Sequence, residues 1–283
     1  MLSYRHGFHA GNHADVLKHS VLLAVLRYLQ KKPGALYCID SHAGTPVHKL
    51  DQGFAIKNNE HQTGIARLWA AAGDEAVPEL LQHYLAQVRR LNPDGALSRY
   101  PGSSRLLLDQ LREQDRLRLL ELHPSELDEL HAYFGGQKQT QLIAGDGFHG
   151  LHGLLPPPSR RGLVLIDPSY EVKTDYQRVY GCIRDALKRF PGGSYAIWYP
   201  QLRRNEPERL VQRLKGLAGD NWLHARLSVR RSPSEGSSMI GSGMLVINPP
   251  WSLPQELEAA LPWLVEQLGQ DAGATHLLES QIS

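Results

Sequence analysis

Two cysteines in 283 residues, Cys38 and Cys182, are too few for a disulfide framework. Both sit in apolar runs and are expected as reduced core residues of a cytoplasmic protein. Neither is placed like a nucleophile. Long apolar runs are also missing. The longest candidate, Val21 to Leu26, falls far short of the roughly 18 residues that a membrane span needs, so no membrane partner is expected. The N-terminus is polar and His-rich where a signal peptide carries an apolar core, and none is expected. An excess of one charge is absent too: 31 Lys+Arg against 29 Asp+Glu leave +2. That balance excludes a polybasic tail protein and an acidic disordered one. There is no G-x-S-x-G elbow and no H-E-x-x-H helix, which argues against the hydrolases and zinc peptidases those patterns mark.

What is present is a chain with 41% hydrophobic residues, long enough to bury one large core. Short apolar runs alternate with helical patterns, the signature of an α/β fold with a largely parallel sheet. The spacing predicts a first helix over Asn12 to Gln30, capped by Asn12, apolar on a wide face and closed by Lys31, Lys32 and Pro33-Gly34. Seven strands are predicted, at Ala35–Asp40, Leu117–Leu122, Gln141–Ala144, Leu163–Ile166, Tyr195–Trp198, Leu223–Val229 and Gly243–Ile247. The last two are expected to pair antiparallel. Helices are predicted at Ser104–Glu113, Ser125–Phe134, Asp175–Arg189, Glu206–Leu217 and Gln255–Leu268, the last followed by a tail expected to be mobile. About seventy residues separate the first two strands, far more than a simple crossover needs. Residues 46–98, with helical patterns at Ile65–Ala72 and Val77–Arg90, are therefore assigned to a helical insertion, leaving 1–45 and 99–283 as the main domain.

Candidate chemistry gathers at strand ends, where open parallel sheets bind ligands. Asp167-Pro168-Ser169-Tyr170 follows an apolar strand. There the Asp167 carboxylate and the Pro168 carbonyl suit the two hydrogens of a planar amine, with Tyr170 to stack on its ring. A proline turn in which Asp167 caps the next helix fits the same four residues. Glu121 closes the second strand and Asp146-Gly147 follows the third. Acids at these places hydrogen-bond ribose hydroxyls and face adenine in nucleotide-type sites, although taken singly each also suits a helix cap. Ser41-His42-Ala43-Gly44 forms a weak glycine loop that Gly102-Ser103 would complete. Four histidines, His6, His9, His13 and His19, crowd the N-terminus. Without a third ligand at metal spacing they are expected to make polar contacts to a ligand or the backbone, and no metal is expected.

These residues, read in order, resemble a known family. Met1-Leu2-Ser3-Tyr4-Arg5-His6, Phe8-His9-Ala10-Gly11-Asn12 and Ala14-Asp15-Val16-Leu17-Lys18-His19 are similar to the start of the ribosomal RNA large subunit methyltransferase J family. The likeness runs on through Ser41-His42-Ala43-Gly44, Tyr100-Pro101-Gly102-Ser103, Glu121-Leu122-His123-Pro124, Asp146-Gly147-Phe148, Ile166-Asp167-Pro168, Trp198-Tyr199-Pro200 and Asn248-Pro249-Pro250-Trp251. The N-terminal block and the ordered series are specific. The D-P-x-Y element alone is shared with DNA adenine and protein glutamine methyltransferases.

The resemblance implies a Rossmann-like class I fold dependent on S-adenosyl-L-methionine (SAM), with a seven-stranded, mostly parallel sheet. It implies N6-methylation of one adenine in 23S rRNA. No obligate protein partner is implied, and a monomer is expected although the sequence does not settle oligomeric state. By motif position, His19, His42, Ser103, Glu121, Asp146, Gly147 and Asp167 would bind SAM. Asp167, Pro168 and Tyr170 would carry catalysis, and Tyr4, His6 and Lys18 would face the substrate. A DNA or protein-amide methyltransferase, or a catalytically silent RNA-binding module, is the alternative. Two departures stand out: Ser169 replaces a usual second proline, and Thr45-Pro46 follows Gly44 where the family tends to keep another glycine. RNA contacts are expected from Lys173, Arg203, Arg204, Arg230 and Arg231 near the strand ends, and from Arg89 and Arg90 in the insertion; each pair equally suits a solvated surface.

Overall fold

Asn12 does cap the first helix. In the computed structural model, which describes residues 6–52, 54–203, 205–231 and 239–282, its side chain accepts from the N–H groups of Ala14 and Asp15. Helix α1 (His13–Leu29) is buried at every residue from His13 to Leu26. The order continues β1 (Tyr37–Asp40), β2 (Val47–Lys49), α2 (Phe54–Asn58), α3 (Ile65–Ala71), α4 (Glu79–Arg90), β3 (Arg99–Pro101), α5 (Ser103–Gln110), β4 (Arg116–Glu121) and α6 (Pro124–Phe134). It ends with β5 (Thr140–Ala144), α7 (Gly147–Leu154), β6 (Gly162–Ile166), α8 (Thr174–Arg189), β7 (Ser194–Gln201), α9 (Glu206–Ala218), β8 (Asn221–Ser228), β9 (Gly241–Ile247), α10 (Leu253–Leu268) and β10 (Thr275–Ile282).

Among the described residues the main sheet has eight strands, in the order β10-β8-β9-β7-β6-β1-β4-β5. This corrects the expected seven. The tail expected to be mobile is β10, paired antiparallel with β8 from Thr275↔Ser228 to Ile282↔Asn221. It covers what would otherwise be an open sheet edge. The five strands β5, β4, β1, β6 and β7 are mutually parallel, while β9 runs antiparallel to both of its neighbours, β7 and β8.

Both faces of the sheet are covered. Leu163 and Leu165 of β6 join the core beneath α1, α4, α5 and α10, while Val164 and Ile166 join the core beneath α7, α8 and α9. All four are at most 1% exposed, and each such burial contributes on the order of 1.5–3 kcal/mol. The strand that delivers Asp167 is thus among the most firmly held in the molecule.

From β1 the sheet grows through β4 and β5 on one side and through β6 and β7 on the other. This reversal opens a crevice at the carboxyl ends of β1 and β6. The short ladder of β2 with β3 closes the chain that holds α2, α3 and α4. Among the described residues no helix is long and apolar enough to cross a membrane.

Candidate active site

The crevice holds a cavity lined by Lys18, His19, His42, Ser103, Glu121, Asp146, Gly147, Asp167 and Pro168, among others. Every residue expected to bind cofactor therefore meets in one place, from six separate stretches of chain. A second cavity lies alongside, lined by His9, Asn12, Asp15, Tyr170, Trp198, Pro200 and Met239. Lys18, Asp167 and Ser169 line both.

Strand ends supply three of the acids that line the first cavity, Glu121, Asp146 and Asp167, and a fourth strand-end acid, Asp40, lies buried beside them. Glu121, at the end of β4, accepts from the N–H of Gly44 at 2.9 Å and from that of His123 at 2.7 Å. It thereby ties the loop after β1 to its own strand. Asp146 caps α7, accepting from the N–H groups of Phe148 and His149. Burial works against its charge, but the Arg178 guanidinium and those N–H groups hold its carboxyl below the ordinary range. Asp40, at the end of β1, escaped the sequence reading because it closes an apolar run without a motif. It is fully buried, accepts from the Ser103 hydroxyl at 2.6 Å and from the His42 N–H at 3.2 Å, and burial pushes its carboxyl up to about 6.

The loops between these acids approach closely. A Cβ on Gly147 would stand 1.7 Å from the Ser41 carbonyl oxygen, so only glycine permits the start of α7 to touch the loop after β1. His42 bonds Ser41 Oγ through Nδ1 at 2.7 Å and meets Phe148 edge-on, and burial pushes its imidazole down to about 4. His19 is fully buried, and its Nδ1 lies 2.8 Å from the Tyr100 hydroxyl, which in turn pairs with that of Tyr84.

Lys18 is the junction of the two cavities. Its Nζ lies 2.6 Å from Asp167 Oδ2 and 2.8 Å from Asp15 Oδ1. Burial would discharge the ammonium, but the two carboxylates outweigh it and hold its pKa above the ordinary range. Tyr170 is 3% exposed; its hydroxyl donates to the Trp198 carbonyl at 2.7 Å and its ring packs on Tyr176. Of the other residues expected to face substrate, Tyr4 lies outside the described residues. His6 opens a short 3-10 turn, and its side chain lies outside them too. The N-terminal histidines disperse. His9 pairs with Glu60 at 2.9 Å, while His13 is buried in α1. Sequence reasoning gave no site role to Asp15, Trp198 or Arg178, although Asp15 and Trp198 lie in the blocks that carry the resemblance.

A sheet whose seven principal strands run 6-7-5-4-1-2-3, with the seventh antiparallel and acids on the ends of the first four, defines a class I methyltransferase. Residues 33–278 match the model of the family described as "Ribosomal RNA large subunit methyltransferase D, RlmJ". The chain belongs to this family. It is 43% identical over 282 residues to ribosomal RNA large subunit methyltransferase J of Escherichia coli K12, covering 100% of this chain and 99% of the relative. It is 41% identical over 269 residues to the Haemophilus influenzae protein of the same name, with 95% and 94% covered. Among solved structures, protein LPL1258 of Legionella pneumophila superposes with a TM-score of 0.89 at 33% identity, covering 96% of this chain and 98% of that one.

Proposed function

We propose that this protein methylates N6 of an adenine in large-subunit (23S) rRNA, with SAM in the first cavity and the target base in the second. The observation that carries the reading is that the two cavities share Asp167 as a common wall. The residues of the first cavity fit the cofactor. Glu121 has acceptor lone pairs for ribose hydroxyls, Asp146 an acceptor edge for adenine, and the close approach at Gly147 leaves a narrow backbone cradle. When bound, SAM supplies an electrophilic methyl group on a sulfonium.

The chain's own residues have to make a poor nucleophile competent. The N6 lone pair of adenine is delocalised into the ring. Asp167 and the Pro168 carbonyl accept its two hydrogens, which favours pyramidal geometry and aims the lone pair across the shared wall. Orientation of this kind supplies several kcal/mol of a barrier. Asp167 also stabilises the positive charge that arrives on N6 and takes the proton released there. Lys18 engages Oδ2 of Asp167 and leaves Oδ1 to the substrate. Extruding the base from its stack costs a few kcal/mol. The apolar wall of Tyr170 and Trp198 returns part, at about 1–3 kcal/mol for a stacked base.

Residues 46–98 act in this reading as an insertion subdomain, and the enzyme works as a monomer in the cytoplasm. Lys173, Arg203, Arg231, Arg89 and Arg90 are exposed, as RNA contacts must be; Arg230 is half-buried, and Arg204 lies outside the described residues. The test is methyl transfer from SAM to unmodified large-subunit rRNA, with the product mapped by mass. The wild type is expected to give N6-methyladenine at one position, and Asp167→Ala to abolish transfer while still binding SAM. Methylation of DNA or peptide in preference to rRNA, or RNA binding without SAM binding, rejects the reading.

A further inference from the structure

The N-terminal helix buries an acid that the chemistry above does not use. Asp15 is 1% exposed, yet both of its oxygens are engaged. Oδ1 meets Lys18 Nζ at 2.8 Å, and Oδ2 accepts from the Gly11 N–H at 2.9 Å. Gly11 sits in a left-handed turn at φ +73°, where a Cβ would lie 2.8 Å from Ile65 of α3. Its carbonyl accepts from the Ile65 N–H at 2.8 Å. One carboxylate therefore links the turn at the head of α1, and through it α3, to the ammonium that touches Asp167.

We propose that Asp15 is a positioning residue that acts on Asp167 through Lys18, dividing the ammonium between two carboxylates so that Asp167 remains a strong acceptor for the substrate amine. The inference rests on the proposed function and names a further residue of that same site. The physical argument is one of charge. Asp15, Lys18 and Asp167 together carry −1, with the single cation 2.6 Å from one acid and 2.8 Å from the other. Without the Asp15 charge, the whole field of the ammonium falls on Asp167. A carboxylate so neutralised accepts more weakly from N6 and is a poorer base for its proton. A buried acid and a partly buried one need not share one lysine for stability alone, since an ion pair removed from water returns little net energy. Trp198 adds to the enclosure, with Lys18 Nζ lying 6.0 Å from its ring centre.

The test uses the full-length protein, SAM and unmodified large-subunit rRNA in single-turnover assays. Asp15→Asn keeps the shape and an acceptor for Gly11 but removes the charge. It is expected to slow transfer about tenfold, the equivalent of one pKa unit of altered interaction, with SAM and RNA affinities unchanged. Asp15→Glu keeps the charge and is expected to stay well above that rate. In a Lys18→Gln background, Asp15→Asn is expected to cost nothing further, because its route to Asp167 is gone. Should Asp15→Asn fail to bind SAM, Asp15→Ser replaces it. Three results overturn the inference: an Asp15→Asn rate equal to wild type, an Asp15→Glu rate as low as that of Asp15→Asn, or the full loss repeated in the Lys18→Gln background. Failure of the wild type itself to methylate rRNA strikes at the proposed function instead.

Discussion

Tyr170 holds a backbone conformation that non-glycine residues seldom adopt, φ +52°. The strain is held by burial, by the hydrogen bond of its hydroxyl to the Trp198 carbonyl and by contact with the Tyr176 ring at 4.6 Å. The chain from Asp167 to Tyr170 is thus anchored at both ends, by Lys18 on one side and Trp198 on the other. Ser169 lies between them and, unlike its neighbour Pro168, has no ring to fix its backbone. Among the described residues its hydroxyl makes one long contact, accepting from the Glu171 N–H at 3.5 Å. The Pro168 carbonyl, the proposed acceptor for the substrate amine, is bonded directly to the Ser169 nitrogen, so freedom at Ser169 loosens that acceptor. Ser169→Pro fixes φ and favours an extended Pro168. A better-held acceptor predicts a single-turnover rate faster by roughly a few-fold at most, with unchanged base specificity. An unchanged rate would show that the loop is already rigid.

At the scale of elements, the site depends on how closely α7 approaches the loop after β1. Gly147→Ala places a methyl group inside the van der Waals radius of the Ser41 carbonyl, and backbone on both sides has to give. The helix start then withdraws and carries Asp146 away from Glu121. The expected result is loss of SAM binding by calorimetry with thermal unfolding lowered only modestly. SAM affinity within a few-fold of wild type would mean the loop yields without cost.

This contact also marks where sequence reading stops. The central strands β1, β6 and β7 were legible because they are buried on both faces and read as apolar runs, and β4 by its buried leucines at Leu117, Leu119 and Leu120. Helix α7 was not: Gly147-Phe-His-Gly-Leu-His-Gly-Leu carries three glycines in its 8 residues and forms because Asp146 caps it. Strand β10 has no buried residue, so no pattern announced it; the open edge of β8 creates it. The strand-end acids Glu121, Asp146 and Asp167 were legible from position. The Asp15–Lys18–Asp167 junction was not, since its third member lies 149 residues from Lys18 in sequence.

For the whole molecule, buried imidazoles set the response to acid. His13 is 7% exposed and His224 is 3% exposed, and burial pushes both down to about 4 from an ordinary 6.5. His42, which lines the first cavity, moves the same way for the same reason. A group whose folded pKa lies below its unfolded one binds more protons when unfolded. Stability from these histidines is therefore fully present above pH 6.5 and is lost as the pH falls through 6.5 to about 4. A shift of this size corresponds to about 3 kcal/mol for each of the two deeply buried rings. Asp40 opposes them, because its raised pKa means that it binds a proton more readily when folded and so favours the acid side of the same window. Asp175, also raised by burial, acts with Asp40, but the lowered carboxyls of Glu60, Asp115, Asp146 and Glu279 act with the three histidines, so acidification leaves a net loss, set against a typical total of about 5–15 kcal/mol. Denaturant unfolding is expected to show stability falling steeply between pH 6.5 and 4.5. The His224→Gln variant, which keeps a hydrogen-bond partner for the Tyr199 hydroxyl now 2.7 Å from the ring, is expected to show a shallower fall. A variant whose stability tracks wild type across that range would show that His224 gains its proton without unfolding the sheet around it.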